Sequence, residues 1–365
     1  MSIIDHELEE IRKLCENVVP CSKIIACTTV LVRVDIKLNQ VSRQLTVCLR
    51  FPENYPHHPI LVEIKSRTLC DKFLIGLANL CETKAKEQLG KPQCILVLKF
   101  VEQYLRENPL CVALDEILEL KRSLGKEANE QLKLKQKSST VQLLAKGGEY
   151  FYRIKAEVPE DYPQRCVVLK EPETNLPAVL LRYLNGQSKE IARQCVEPPL
   201  RLAKDKNAPA FKAGPSLYKA LKFCLEATKD FYAELCPICD QTVLPDDPKQ
   251  VELNDTKDEF VERVYCGHLF HQGCLKLYLQ KPPFPKGGKL CPAKKRHPRS
   301  DARYYLEGGS AQNVKQPTVT SDTGGMCSIR LAHDRWVVSS KVAETRWAQK
   351  QARERELQEV VDFLQ

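Results

Sequence analysis

The chain has 365 residues, 43% hydrophobic and 28% charged, with a formal net charge of +9. A chain of this length divides into two or three domains, and such a composition excludes disorder as its general state. No apolar run approaches the roughly 20 residues that cross a bilayer, and the charge is too modest by itself to mark a nucleic-acid binder.

The opening "MSIIDHELEEIRKLCENVV" reads as an acidic amphipathic helix, not a basic leader followed by an apolar stretch. The expected location is therefore the cytosol, the nucleus or both, with no membrane contact. Thiols stay reduced there, so the 17 cysteines are not read as a disulfide scaffold. Eleven of them, Cys15 to Cys224, are scattered beside aliphatic residues, as in "TVCLRF" and "KFCLEA", and read as small buried hydrophobes.

The chain repeats itself. "RFPENYPHHPILVEI" matches "EVPEDYPQRCVVLKE": Pro52, Glu53, Tyr55 and Pro56 recur at Pro159, Glu160, Tyr162 and Pro163, an offset of 107. Each motif follows a segment of strand-like alternation, "RQLTVCLRF" or "EYFYRIKAEV", and precedes a short strand and a helical pattern. Leu98, Lys99 and Phe100 match Leu221, Lys222 and Phe223 at an offset of 123, so the second copy carries 16 extra residues, assigned to the loop "PPLRLAKDKNAPAFKAGPS". Each copy thus reads as a helix, a meander of three or four antiparallel strands, a proline-stiffened turn, and helices on one sheet face, an α+β sandwich. The prolines bar further ladder pairing and turn the chain off the sheet after the third or fourth strand. Tyr55 and Tyr162 are expected to pack against the turn with their hydroxyls paired.

"FPENYPHHP" resembles the strand-turn signature of ubiquitin-conjugating enzymes and their non-catalytic relatives, the RWD domains. A conjugating enzyme needs an exposed cysteine nucleophile and, shortly before it, a His-Pro-Asn segment whose amide stabilises the oxyanion. Neither copy contains His-Pro-Asn, and Cys70, Cys81, Cys94 and Cys195 sit in apolar helical or strand-like contexts. The resemblance therefore implies two RWD-like binding domains, 1–110 and 111–232. The second copy departs from the pattern at Cys166, where the first has Pro59.

Five further cysteines gather between 236 and 291 with two histidines. They run Cys236-x2-Cys239, 26 residues, Cys266-x-His268-x2-His271-x2-Cys274, 16 residues, then Cys291. Zinc takes four thiolate or imidazole donors in a tetrahedron, and pairs two residues apart on a tight turn reach one ion together. The order resembles the RING finger with histidines at the fourth and fifth ligand positions, here covering 233–305. That resemblance implies two Zn2+ ions with interleaved ligands: Cys236, Cys239, His271 and Cys274 on one, and Cys266, His268, Cys291 and an eighth residue on the other. The family ends Cys-Pro-x-Cys, but "CPAKKRH" puts Lys294 in the last place. His297 is the expected substitute; Asp301, or a distorted or incomplete second site, are the alternatives. In the family, the positions of Ile238, Tyr278 and Pro292 form an apolar groove for a conjugating enzyme, and a basic residue after the last ligand, here Arg299 or Arg296, bridges to ubiquitin. The plainer readings are core packing for Tyr278 and a turn for Pro292.

Eight basic residues and one acid lie between Lys281 and Arg303. The run reads as charge compensation for zinc thiolates, as solvated surface, or, in "KKRHPR", as an import signal. Residues 306–340 read as a polar linker in which "MCSIRLAHDRWVVSS" can return as a short strand. Residues 341–365 read as a charged amphipathic helix with Leu357, Val360, Val361 and Leu364 on one face, docking on the chain itself or on a partner.

The sequence is therefore expected to encode a RING-type ubiquitin-protein ligase: the finger binds a ubiquitin-charged conjugating enzyme and the RWD-like repeats bind substrate or partner proteins, with no covalent intermediate. A non-catalytic zinc-binding adaptor with a degenerate finger is the alternative, followed by a zinc protein that binds nucleic acid.

Overall fold

A computed structural model describes residues 3–38, 42–125, 129–198, 211–264, 266–285, 288–293, 331 and 334–364. The fold is mixed α and β with antiparallel sheets. Helix α1 (Ile3–Val18) leads into β1 (Ser22–Cys27), β2 (Leu31–Lys37), β3 (Gln44–Arg50) and β4 (Leu61–Lys65), which pair in sequence order, and α2 (Asp71–Lys86) and α3 (Cys94–Glu107) follow. After a short 3-10 turn, Pro109–Ala113, the order recurs as α4 (Leu114–Ser123), β5 (Gln131–Lys135), β6 (Thr140–Gly147), β7 (Tyr150–Glu157), β8 (Val168–Thr174), α5 (Ala178–Gln194) and α6 (Leu217–Ala233). Its strands also pair in chain order.

Two-residue periodicity makes the sheets. Val32, Val34 and Ile36 on β2 and Leu45, Val47 and Leu49 on β3 alternate into one core, which Leu8, Ile11 and Cys15 of α1 and Val97, Leu98, Val101 and Leu105 of α3 close. On β6 and β7 the buried positions alternate in the same way, Val141, Leu143 and Ala145 on the first and Tyr150, Tyr152, Ile154 and Ala156 on the second. The Pro-x-x-Tyr-Pro turn falls after the third strand of each sheet, and the chain then returns to pair as the fourth; both Tyr–Pro peptide bonds are cis.

The two tyrosines hold the turns to the helices. Tyr55 donates its hydroxyl proton to Glu7, which is fully buried, and Glu7 Oε1 accepts the N–H of Gln93 (2.7 Å) and of Cys94 at the start of α3. Gln93 Oε1 in turn accepts the Ile60 N–H at 2.9 Å. In the second copy Tyr162 donates to Glu116, its oxygen accepts the N–H groups of Ser216 (2.8 Å) and Leu217 (3.2 Å), and Ser216 Oγ accepts the Val167 N–H. A carboxylate at a helix N-terminus meets unpaired N–H groups and the positive end of the macrodipole, which stabilises the arrangement.

Compact packing divides the chain into two units, one of 1–144, 154–171 and 188–222, the other of 145–153, 172–187 and 223–365. In the second unit, Tyr150 donates to Pro245 O at 2.8 Å and the Arg263 guanidinium stacks 3.6 Å from the Tyr183 ring centre, so the cysteine-rich segment is continuous with one end of the second sheet.

Several sequence expectations change. Cys21 is exposed, on a turn at φ +66°, and so is not a core hydrophobe. Residues 334–340 belong to helix α8 (Asp334–Leu364), not to a strand: Trp336, Val337 and Val338 carry strand propensity, but the good helix formers that follow from Lys341 carry the helix back over them. The helix meets its neighbours through Trp347, whose ring lies 5.8 Å from Phe284, whereas Leu357 is 66% exposed. Val360, Val361 and Leu364 have side chains outside the described residues, as do residues 199–210 of the extra loop. No helix among the described residues is long and apolar enough to cross a membrane.

Candidate metal centre

Two tight turns build the centre. In the first, Leu235 bridges to Thr242, the Cys236 N–H donates to Gln241 O (2.8 Å) and the Asp240 N–H to Cys236 O (2.9 Å). Asp240 sits at φ +56°, a left-handed conformation that Asp tolerates better than most residues. In the second, β9 (Val261–Arg263) and β10 (Leu269–His271) pair antiparallel. The Gly267 N–H donates to Val264 O, and Gly267 takes φ +96°, where a side chain would be strained. Helix α7 (Gln272–Gln280) starts directly after β10 and carries Cys274 in its first turn. A Cβ at Gly273 would fall 2.6 Å from Asp258 Cβ, so the preceding loop can close on α7 only over glycine. Val243, Leu244, Val261, Leu269, Phe270, Leu275 and Leu279 of this segment are buried.

These elements bring seven of the sequence-predicted ligands into two groups. Cys236, Cys239, His271 and Cys274 form one, and Cys266, His268 and Cys291 the other, with the ligand atoms in each within 4.8 Å of one another. The pairing crosses over: the first turn joins the last residue of β10 and Cys274 of α7, while the residues before β10 join Cys291. His271 Nδ1 is 3.4 Å from Cys239 Sγ and 4.0 Å from Cys274 Sγ; His268 Nδ1 is 3.2 Å from Cys266 Sγ and 3.5 Å from Cys291 Sγ.

The donors fit zinc. Sulfur at 2.3 Å and nitrogen at 2.0–2.1 Å from a tetrahedral ion stand about 3.5 to 3.8 Å apart, close to these separations. Their electrostatics agree. Burial pushes the Cys236 thiol up, but hydrogen bonds from His271 and the N–H groups of Cys239 and Ile238 outweigh it and leave it at about 6. Hydrogen bonding to Cys236 lifts His271 to about 9 against burial, and burial with the neighbouring Cys236 lifts Cys274 to about 12. A hydrogen bond from Cys291, opposed by burial, brings the Cys266 thiol down to about 4. Several thiols crowded round an imidazole hold one another as a thiolate–imidazolium pair, and a divalent cation would take the place of the shared protons.

The other predicted positions divide. Ile238, Tyr278 and Pro292 are each half-buried. Tyr278 does part of a packing role, since its hydroxyl donates to Leu290 O at 2.9 Å. His297, Asp301, Arg296 and Arg299 lie outside the described residues. Lys289, counted above among the surface cations, is only 6% exposed; its ammonium donates to Tyr278 O and Lys281 O at the end of α7 and lies over the Tyr278 and Phe284 rings. Burial lowers its pKa, and the helix C-terminus and the two rings are what stabilise the charge there. The sequence signal for this was weak: a lysine directly before "LCP" in a Gly-Gly-Lys context is no different from a surface one.

The thiols weighed as nucleophiles shift as Cys274 does and opposite to Cys236 and Cys266. Burial raises Cys70 and Cys195, raises Cys81 to about 12, and raises Cys94 well above the ordinary thiol value. A nucleophilic cysteine needs the reverse shift. No family model matches the sequence, and no curated protein matches it.

Proposed function

We propose that this chain is a RING-type ubiquitin-protein ligase, with two RWD-like domains ahead of a two-zinc finger. The observation that carries the reading is the crossed grouping of the donors, Cys236 and Cys239 with His271 and Cys274, and Cys266 and His268 with Cys291. Zinc here is structural: with four protein donors it offers no open position for substrate, and it supplies rigidity to the two turns. In layout the chain resembles the RING subunit of the Fanconi anaemia core complex, which also places two RWD-like modules before its finger.

The half-buried Ile238, Tyr278 and Pro292 flank the two donor groups and supply the apolar surface on which a conjugating enzyme would dock. The ligase holds the charged enzyme and a substrate lysine together, so its contribution is proximity and orientation. The repeats recruit the substrate or partner protein. Purified chain with two zinc ions should build ubiquitin chains on itself with at least one of a panel of conjugating enzymes, and Ile238→Ala should abolish this while both ions remain. Two bound ions with no transfer by any enzyme would identify a scaffold instead. Binding to DNA or RNA that weakens steeply with salt would favour the nucleic-acid reading.

A further inference from the structure

Within the first unit, residues of both repeats line a half-open cleft of about 360 Å³. That lies within the range of small-ligand sites, about 300–1,000 Å³. Three cations line it, Arg43 just before β3, Arg106 in the last turn of α3 and Lys137 in the 3-10 turn after β5, against one acid, Glu160. We propose that this cleft binds a phosphorylated serine or threonine in a segment of a partner protein. The inference concerns the two repeats alone and holds whether or not the finger transfers ubiquitin.

Charge sets the sign of the ligand. Arg106 gives Nε (3.0 Å) and Nη2 to Glu102 one turn back on its own helix, which uses two of its five N–H donors and fixes the plane of the guanidinium. A planar guanidinium matches phosphate oxygens in a way that an ammonium does not, and the cleft offers two of them with one lysine as a point charge. Apart from Cys21, Ser139 and these charged groups the lining is apolar, which strengthens each charge by lowering the local dielectric. A phosphomonoester brings between one and two negative charges and three acceptor oxygens, enough to engage all three cations, whereas a carboxylate brings a single charge. Glu160 supplies the second half of the recognition. An acceptor beside the cations repels a bare anion and favours one that carries N–H donors next to it, as a peptide backbone does.

The rim is built in advance. Cys21 at φ +66° and Ser139 at φ +46° both line the cleft, two of the five non-glycine residues with positive φ among the described residues. Neither is of the Asn or Asp type that tolerates this conformation, and backbone held so gathers where a ligand is met. Neighbouring strands fix both: the Lys37 N–H donates to Cys21 O at 2.9 Å and the Val158 N–H to Ser139 O at 2.8 Å. The Leu110 N–H donates to Gln136 Oε1 at 3.3 Å, which ties the end of the first repeat to the turn that carries Lys137. The cations thus come from separate segments whose backbones are already in place, and a ligand entering between them pays little to order the site.

Cys21 is exposed and lines the cleft, so its alkylation reports occupancy. The test measures the rate at which iodoacetamide labels Cys21 in the full, zinc-loaded chain, read by peptide mass analysis, with calorimetry on the same samples. Three probes are compared: N-acetyl-phosphoserine N-methylamide, N-acetyl-glutamate N-methylamide and inorganic phosphate. The phosphoserine probe should slow labelling about five-fold at about four times its dissociation constant. The other two should bind about ten times more weakly or worse. Lys137 is exposed, so Lys137→Gln keeps the fold, and it should weaken the phosphoserine probe and restore fast labelling. Lys72→Gln, at an exposed position of α2 outside the cleft, should change neither. Unslowed labelling with the phosphoserine probe, or protection unchanged in Lys137→Gln, would overturn the assignment. Inorganic phosphate binding as tightly would mark a site for the free anion, and the glutamate probe binding as tightly would mark an acidic segment as the ligand; either would also overturn it. None of these readouts involves ubiquitin transfer, so their failure leaves the finger reading untouched.

Discussion

The first sheet and the cysteine-rich segment hold their chains together with different materials. Strands β1 to β4 alternate apolar side chains into a core closed by α1 and α3, and the cysteines there, such as Cys15, Cys81 and Cys94, are packed like aliphatics. Among its described residues the cysteine-rich segment has two strands of three residues each, one short helix and long stretches of turn. Its cysteines are drawn together in groups with imidazole, and Cys236 and Cys266 are pulled below the ordinary thiol range, with Cys274 raised beside the Cys236 thiolate. Residue type is the same in the two regions; burial among apolar atoms keeps a thiol protonated, while donors and positive partners favour the thiolate.

The largest expected effect separates the two regions by removing metal. Structural zinc contributes on the order of 10 to 16 kcal/mol of apparent folding free energy in small domains, more than a finger core of this size replaces. Chelation, or Cys236→Ser, should abolish amide-hydrogen protection in β9, β10 and α7 while leaving β2 and β3 as protected as before. Equal loss in both regions would break the contrast. The converse perturbation is Leu49→Ala: Leu49 is fully buried, so its loss should destabilise the first sheet by about 2–5 kcal/mol with zinc content unchanged.

Much of this was legible in the sequence, and the limits are physical. The repeat showed because a turn such as Pro-x-x-Tyr-Pro admits few residues, so Tyr55 and Tyr162 stayed recognisable. The tyrosine partners did not show: Glu7 and Glu116 lie far away in sequence on helices whose other carboxylates are solvated, and only the tertiary fold selects one of them. The two Cys/His groups were readable from spacing, since metal-ligand chemistry restricts residue type and turns restrict separation. Lys289 was misread as surface because burial of a lysine is decided by the helix end and rings around it. The start of α8 was missed because Trp336 and the valines after it carry strand propensity that helix context overrides.

A smaller effect distinguishes the repeats from each other. In the first copy the N–H groups at the start of α3 go to the Glu7 carboxylate, with Gln93 N–H also 3.1 Å from the Tyr55 hydroxyl. In the second, the Ser216 and Leu217 N–H groups both go to the Tyr162 hydroxyl. Tyr162→Phe strands the Ser216 N–H and a carboxylate oxygen, the Leu217 N–H also reaching Glu116, whereas Tyr55→Phe leaves Gln93 N–H with Glu7. Each buried group left unpaired costs about 1–3 kcal/mol, so denaturant unfolding should find Tyr162→Phe the more damaging substitution. Equal losses would mean that the carboxylates, not the hydroxyls, hold both turns.

The smallest effect is a pH dependence confined to the second copy. Burial raises the Glu116 carboxyl above its ordinary value, and the hydrogen bonds from Tyr162 and the Tyr218 N–H only partly offset this. A carboxyl with a raised pKa in the folded state holds its proton there more readily than in the unfolded chain. Its contribution to stability is therefore fully present below the unfolded value, about 4.3, and is lost as pH rises through the folded one. Glu116→Gln has no charge to bury, so the variant should lack this loss even though its amide pairs less well with Tyr162 overall. The quantity to compare is thus the slope of stability against pH, read from hydrogen exchange in β6 and β7 because acid would also strip any metal held by the Cys/His groups. Parallel slopes for Glu116→Gln and the unaltered chain would show that the carboxylate is already as well stabilised in the fold as in water.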